Sequence, residues 1–324
     1  MIRIAIAGYG NLGRGVEYAV EQNEDMELAA IFTRRPAAEV KPRTPVPVVS
    51  VDDAAQWADR VDVLILCGGS ATDLPVQGPK LARLFNTVDS FDTHPGILAY
   101  FAEMDAALRA AGKLGLVSAG WDPGLFSLNR LFMSAVLPRG QTDTFWGPGV
   151  SQGHSDALRR VEGVLDAVQY THPVKSAVEQ VRAGAGPKLS AGEKHTRECF
   201  VVLKDGADAA RAERDIAAMP YYFAGYRTTV HFITSEELRR DHHGMASEGF
   251  VYRSGHTGDG SAHTLEYTLK LGSNPAFTAG VLAACARAVH RMAAEGGTGA
   301  LTLFDVPPAL LSAQSGAELR KELL

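Results

Sequence analysis

An apolar run over residues 2–7 leads straight into Gly8-Tyr9-Gly10-Asn11-Leu12-Gly13, and few patterns narrow the choice of fold so far. The run shows little alternation, as expected of a parallel strand covered on both faces. A helical pattern follows over residues 12–22. Glycines at these three places permit a tight turn, let a pyrophosphate approach the backbone and let the helix pack on the strand. GxGxxG alone is weak evidence; a strand before it and a helix after it make a dinucleotide fingerprint. A second strand, residues 27–32, ends in Thr33-Arg34-Arg35. Sites for NAD usually place a carboxylate there, whereas guanidinium groups suit the 2′-phosphate of NADP, with Thr33 adding a hydroxyl. The plainer reading is a pair of surface charges.

The pattern continues with a short strand at 46–49, a buried strand at 61–67 (VDVLILC) and a helix at 75–85. A strand at 87–91, a helix at 96–111 and a strand at 114–118 follow. Strands alternating with helices at this spacing predict an α/β fold, a Rossmann-type doubly wound parallel sheet over residues 1–120. Beyond Gly120 a helix at 125–137 leaves this domain, and 142–155, rich in Gly, Ser and aromatics, reads as a binding loop. Strands at 164–173, 197–203 and 227–233 with a helix at 208–219 predict a second, α+β domain over 121–274 that takes the substrate. Residues 241–260 read as a mobile glycine-rich loop and hairpin. A long alanine-rich helix at 277–295 is expected to carry the segment 275–324 back to the first domain.

A chain of 324 residues favours two domains. A net charge of -5 offers no basic stripe for nucleic acid. Cys67, Cys199 and Cys285 are too scattered for a zinc site or a disulfide framework. Without a long apolar run no membrane span is expected. The immediate entry into a strand leaves no room for a signal peptide, so a reducing cytoplasm is the expectation.

Ligands of open α/β sheets sit beyond the carboxyl ends of the strands. Cys67-Gly68-Gly69-Ser70-Ala71-Thr72-Asp73 follows one such end. It admits a ribose or nicotinamide, or is a turn capped by Thr72 or Asp73, and the two are compatible. Asp89-Ser90-Phe91-Asp92 and Ala119-Gly120-Trp121-Asp122-Pro123-Gly124 follow two others. Asp89 lies within its strand and reads as structural. Asp92 and Asp122 belong at the rim, either as functional carboxylates or as helix caps, Pro123 suiting a first helical position. Trp146 walls a pocket or buries a loop. Ser155 is an N-cap candidate, His154 and His195 read as structural, and Arg197 is an attractive anion ligand.

Together these stretches resemble the meso-diaminopimelate dehydrogenase family over essentially the whole length. GYGNLGR (8–14), IFTRR (31–35), GSATD (69–73), the segment 88–92 and GWDPG (120–124) carry the likeness. FWGPGVSQGHSDALRR (145–160) is its most specific piece. The resemblance implies reversible NADP-dependent oxidative deamination of meso-2,6-diaminopimelate at its D-centre, in a homodimer without metal. It implies that Asp92, Asp122, Trp121 and Trp146 face the reacting end, with loop contacts from Gln152 and Gly153. Thr171 and Arg197 then hold the distal L-end, and Asn274 lies near both ligands. For the cofactor it implies Gly8, Tyr9, Gly10, Asn11 and Leu12 at the phosphates and Thr33, Arg34 and Arg35 at the 2′-phosphate. Cys67, Gly68, Gly69, Ser70, Ser90, Phe91, Asp92, Ala119, Gly120, Trp121, Asp122, Pro123 and Asn274 follow the nicotinamide half. Asp122 is the candidate general base; it alternatively only orients the ammonium, and Asp92 suits either part.

One departure stands out. Where the family carries a histidine for the distal carboxylate, this chain has Ser247, in Gly244-Met245-Ala246-Ser247. His242 and His243 are the nearby substitutes. Dihydrodipicolinate reductases and sugar dehydrogenases, the competing enzymes, commonly use a lysine near the nicotinamide, and Lys113 precedes its strand at the wrong end. An NADP-sensing regulator would leave the Trp, Asp and Arg residues without purpose.

Overall fold

The computed structural model describes residues 1–184, 188–258 and 260–324. Along the chain come β1 (Ile2–Ala7), β2 (Met26–Thr33), β3 (Val48–Ser50), β4 (Val63–Leu66), β5 (Asn86–Asp89) and β6 (Leu114–Leu116). They are followed by β7 (Gly140–Trp146), β8 (Gly149–Val150), β9 (Val164–Pro173), β10 (His195–Leu203) and β11 (Arg227–Phe232). The last are β12 (Ser247–Thr257), β13 (Ser261–Leu271) and β14 (Gly299–Leu301). The chain forms two compact units, Met1–Leu128 with Pro275–Leu324, and Asn129–Asn274.

In the first unit seven parallel strands lie in the order β14-β6-β5-β4-β1-β2-β3. Strand order reverses beside β1, as in doubly wound sheets, where a crevice opens beyond the carboxyl ends. Alternation places Ile4, Ile6, Val63 and Ile65 on one face, against the helices Asn11–Glu21 and Asn274–Ala294. Ala5, Ala7, Leu64 and Leu66 face the other way, toward the helices Leu74–Leu81 and Ile97–Ala111. Both faces are therefore covered, which is why these strands read as continuous apolar runs.

The second unit holds a mixed four-stranded sheet, β11-β10-β9-β8, and a three-stranded antiparallel sheet, β13-β12-β7. Two expectations change here. Residues 142–155 are not one loop: they supply most of β7, all of β8 and the start of the helix Gln152–Arg159. Their glycines answer close packing, because a Cβ at Gly147 (φ 93°) would overlap the Thr171 carbonyl oxygen. For residues 241–260 the expected hairpin is present, and it is the loop that shrinks, because β12 takes up residues 247–257. After the helix Ser235–Asp241, β12 and β13 pair along eleven residues, with Gly258 (φ 56°) and Gly260 (φ 119°) at the turn. Asp259 lies outside the described residues.

The expected caps shift too. Trp121 and Gly124 form a β-bridge and the helix begins only at Leu125, so Pro123 opens no helix and Asp122 caps none. Gly124 (φ 129°) closes this turn so tightly that a Cβ there would overlap the Gly120 carbonyl oxygen. The helix Ile97–Ala111 starts after Gly96, leaving Asp92 outside it. Ser151, not Ser155, caps the helix Gln152–Arg159; Ser155 is already buried, its hydroxyl bonded to the Ser151 carbonyl at 2.7 Å.

Candidate active site

In the first unit a cleft of about 470 Å³ opens beyond the ends of β1, β2 and β4. Gly8, Tyr9, Gly10, Asn11, Thr33, Arg34, Arg35, Cys67 and Gly68 line it. The glycines differ in their work. A Cβ at Gly13 would overlap the Gly8 carbonyl oxygen, so that residue lets helix approach strand. At Gly10 a Cβ would meet no protein atom within 4 Å, leaving open space beside the backbone where a phosphate fits. Tyr9 contributes backbone rather than ring: its hydroxyl donates inward to Glu17, and its carbonyl accepts Arg35 Nη2 at 2.9 Å. Desolvation, then the carboxylate, push the Tyr9 pKa up to about 12. Leu12 packs on the core instead of lining the cleft.

Arg34 Nη2 meets Asp73 Oδ1 at 2.7 Å, and Asp73 Oδ2 accepts the Gly69 N–H at 3.0 Å. The arginine is thereby tied to the turn after β4. The Arg35 N–H donates to Thr33 Oγ1 at 3.0 Å, closing the turn at the end of β2. Arg14, whose Nη2 holds Asn11 Oδ1 at 2.6 Å, also lines this cleft, as do Asp73 and Gln77. Sequence reasoning passed over Arg14 as a ligand, although a cation directly after the fingerprint was a signal.

The next two strand ends are knitted together by one carboxylate. Asp89, fully buried, accepts the N–H groups of Phe91 (2.9 Å) and Ser118 (3.0 Å) on Oδ1 and the Tyr100 hydroxyl (3.0 Å) on Oδ2. Phe91 stacks on Tyr100 at 4.2 Å. The Asp92 N–H donates to Ser70 Oγ at 3.1 Å, joining the turn after β4 to the loop after β5. Ser90, Phe91 and Asp92 thus neighbour Ser70, and Ala119-Gly120-Trp121-Asp122 leaves the adjacent strand β6. The Trp121 ring packs edge-on against Phe126 at 5.2 Å.

In the second unit, register places Thr171 between Gly149 of β8 and Arg197 of β10. Both side chains are buried, and Arg197 Nη1 donates to Thr171 Oγ1. The guanidinium lies over the Tyr226 ring at 4.2 Å, and its buried Nε has no hydrogen-bond partner. Burial presses the Arg197 pKa down, opposed mainly by Tyr226, and among the described residues no carboxylate pairs with it. A buried cation without a counter-ion is costly unless a ligand supplies one. Ser247, buried at the start of β12, packs against Gly149, and the Asn274 N–H reaches the Met245 carbonyl at 2.8 Å. Trp146 is half-buried, and Gln152 and Gly153 open the helix Gln152–Arg159.

Neither His242 nor His243 supplies, beside Arg197, the charge that Ser247 lacks. Alternation along β9 and β10 puts Thr171 and Arg197 on one sheet face and Tyr170, Glu198 and Phe200 on the other. His242 stacks on Phe200 at 3.9 Å and bonds Tyr170 at 3.1 Å, so it belongs to the opposite face. His243 is exposed and bonds the Arg240 carbonyl at 3.1 Å.

Residues 120–273 match the diaminopimelic acid dehydrogenase C-terminal domain. The chain is 58% identical to meso-diaminopimelate D-dehydrogenase of Ureibacillus thermosphaericus, covering 100% of this chain and 99% of that one. It is 50% identical to the enzyme of Corynebacterium glutamicum, covering 97% and 96%. The chain belongs to the meso-diaminopimelate D-dehydrogenase family. Its fold matches the C. glutamicum diaminopimelate dehydrogenase in complex with diaminopimelate at a TM-score of 0.95, with 49% identity over 100% and 99% of the chains. An engineered D-amino acid dehydrogenase bound to NADP⁺ matches at 0.93, with 47% identity over 100% and 99%. No helix among the described residues is long and apolar enough to cross a membrane.

Proposed function

We propose that this member of the family catalyses the reversible NADP-dependent oxidative deamination of meso-2,6-diaminopimelate at its D-centre. The products are L-2-amino-6-oxopimelate, which cyclises to tetrahydrodipicolinate, with ammonia and NADPH, a reaction that serves lysine biosynthesis in the cytoplasm. The observation that carries this reading is Arg197: a buried guanidinium whose Nε has no partner, on a dehydrogenase frame, fits the carboxylate at the substrate's distal end. Arg34 and Arg35 with Thr33 hold the 2′-phosphate, and the backbone from Gly8 to Asn11 takes the pyrophosphate in the cleft they line. NADP⁺ supplies the acceptor for the hydride from the D-centre Cα.

The rest falls to side chains. Hydride leaves only when the amine is neutral, so its proton must go first, and water then adds to the substrate imine. Asp122, half-buried at the end of the Trp121 turn, receives that proton, and Asp92 orients the ammonium. Trp121, which precedes Asp122 in the same turn, shields the reacting end from bulk water. A homodimer fits the apolar stripe Leu131, Phe132 and Val136, which are 46%, 60% and 52% exposed.

The test is NADPH formation, read by its absorbance, with NADP⁺ and each diaminopimelate stereoisomer. Turnover of the meso form with little of the L,L form and little with NAD⁺ is expected. Activity on none of them would sink the proposal. Asp122→Asn should then lower kcat by at least ~100-fold with a small change in KM, whereas Asp92→Asn should mainly raise KM.

A further inference from the structure

We propose that Gln169 is a positioning residue that turns the Thr171 hydroxyl into a dedicated hydrogen-bond donor toward the carboxylate at the distal anchor. The proposal rests on the reading of Thr171 and Arg197 as that anchor. Gln169 and Thr171 stand two residues apart on β9 and share a sheet face. Gln169 is fully buried, and its backbone is held on both sides. Its N–H donates to Ser155 Oγ at 3.0 Å, and its carbonyl accepts the Ser151 N–H at 3.0 Å. Those bonds fix it to the turn that presents Gln152 and Gly153, which leaves the side chain little freedom to move.

From this position Gln169 Nε2 donates to Thr171 Oγ1 at 3.2 Å. Arg197 Nη1 donates to the same oxygen. A hydroxyl offers two acceptor lone pairs and one proton. With both lone pairs engaged, the proton is the only valence Thr171 can offer a ligand. Arg197 Nε is a second unspent donor, buried beside it. Two donors suit a carboxylate, which accepts only, and Gln169 Oε1 stays buried without a hydrogen-bond partner behind them. An apolar residue at position 169 would free one lone pair and let the hydroxyl rotate. A carboxylate there would take the Thr171 proton and reverse its direction.

The experiment compares Gln169→Glu, Gln169→Leu, Thr171→Val and the Gln169→Glu/Thr171→Val double variant in steady-state kinetics with NADP⁺. For Gln169→Glu the KM for meso-diaminopimelate should rise about tenfold, with kcat and the KM for NADP⁺ within about twofold of the parent. Gln169→Leu should raise the same KM about threefold. Because the two residues act through one proton, the double variant should lose no more than Thr171→Val alone. Additive losses, or a fall in kcat with KM unmoved, overturn the proposal and leave Gln169 a packing residue. An unchanged KM in Gln169→Glu does the same; should that variant not fold, an unchanged KM in Gln169→Leu decides equally. If Thr171→Val itself leaves KM unchanged, the anchor reading fails and the proposal falls with it.

Discussion

His195 Nε2 accepts the backbone N–H of Trp146 at 3.0 Å, so a buried imidazole holds in place the tryptophan assigned to the reacting end. Its Nδ1 faces the Ala191 carbonyl at 3.2 Å, which fixes the neutral tautomer with its proton on Nδ1. Protonation would turn an N–H toward an N–H. Desolvation lowers the His195 pKa from 6.5 to about 4.

The folded state therefore resists a proton that the unfolded state takes up below its ordinary pKa. Stability from this group is complete above about pH 6.5 and is lost as pH falls toward 4, by up to about 3 kcal/mol. His195→Gln should flatten that part of the curve. Denaturant melts of both proteins between these pH values check it, and parallel curves would refute it.

Asp89 works in the opposite sense. Burial raises its pKa from 3.8 to about 6 despite three hydrogen bonds. Here the folded state holds a proton longer than the unfolded state, so stability declines as pH rises through this window. Relative to the parent, Asp89→Asn should gain up to about 3 kcal/mol between pH 4 and 6. A difference that stays constant with pH would count against the assignment.

Two fingerprint glycines should separate folding from binding. Gly13→Ala pushes a methyl into the Gly8 carbonyl and should cost about 1–3 kcal/mol of stability. Gly10→Ala fills open space, so its melting temperature should match the parent while its KM for NADP⁺ rises at least ~10-fold. Thermal melts with cofactor titrations test the pair, and a destabilised Gly10→Ala would contradict this division.

Removing the guanidinium of Arg34 or Arg35 should shift cofactor preference. Each alanine variant should raise the KM for NADP⁺ about tenfold while barely changing that for NAD⁺. Arg35→Ala should be the more severe, since it also releases the Tyr9 carbonyl. Equal losses with both cofactors would place these arginines away from the 2′-phosphate.

The doubly wound sheet was legible because its evidence is local. Runs such as VDVLILC record burial on both faces, and Gly8, Gly10 and Gly13 record backbone demands within one turn. Arg34 and Arg35 could be assigned for the same reason: their place after β2 determines what they can reach. The glycines of 142–155 misled because Gly147 answers to Thr171, 24 positions away along the numbering, rather than to a loop of its own.

By itself, then, the sequence determined the strand-helix alternation and the dinucleotide turn, and through its family resemblance it nominated Asp92, Asp122, Thr171 and Arg197. Tertiary structure alone decided how the side chains are wired. Asp89 reaches Ser118 across neighbouring strands, His195 reaches Trp146, and Gln169 joins Arg197 at one hydroxyl, while His242 falls on the wrong face. Side chains distant in sequence meet only once register is set, and register belongs to the sheet as a whole.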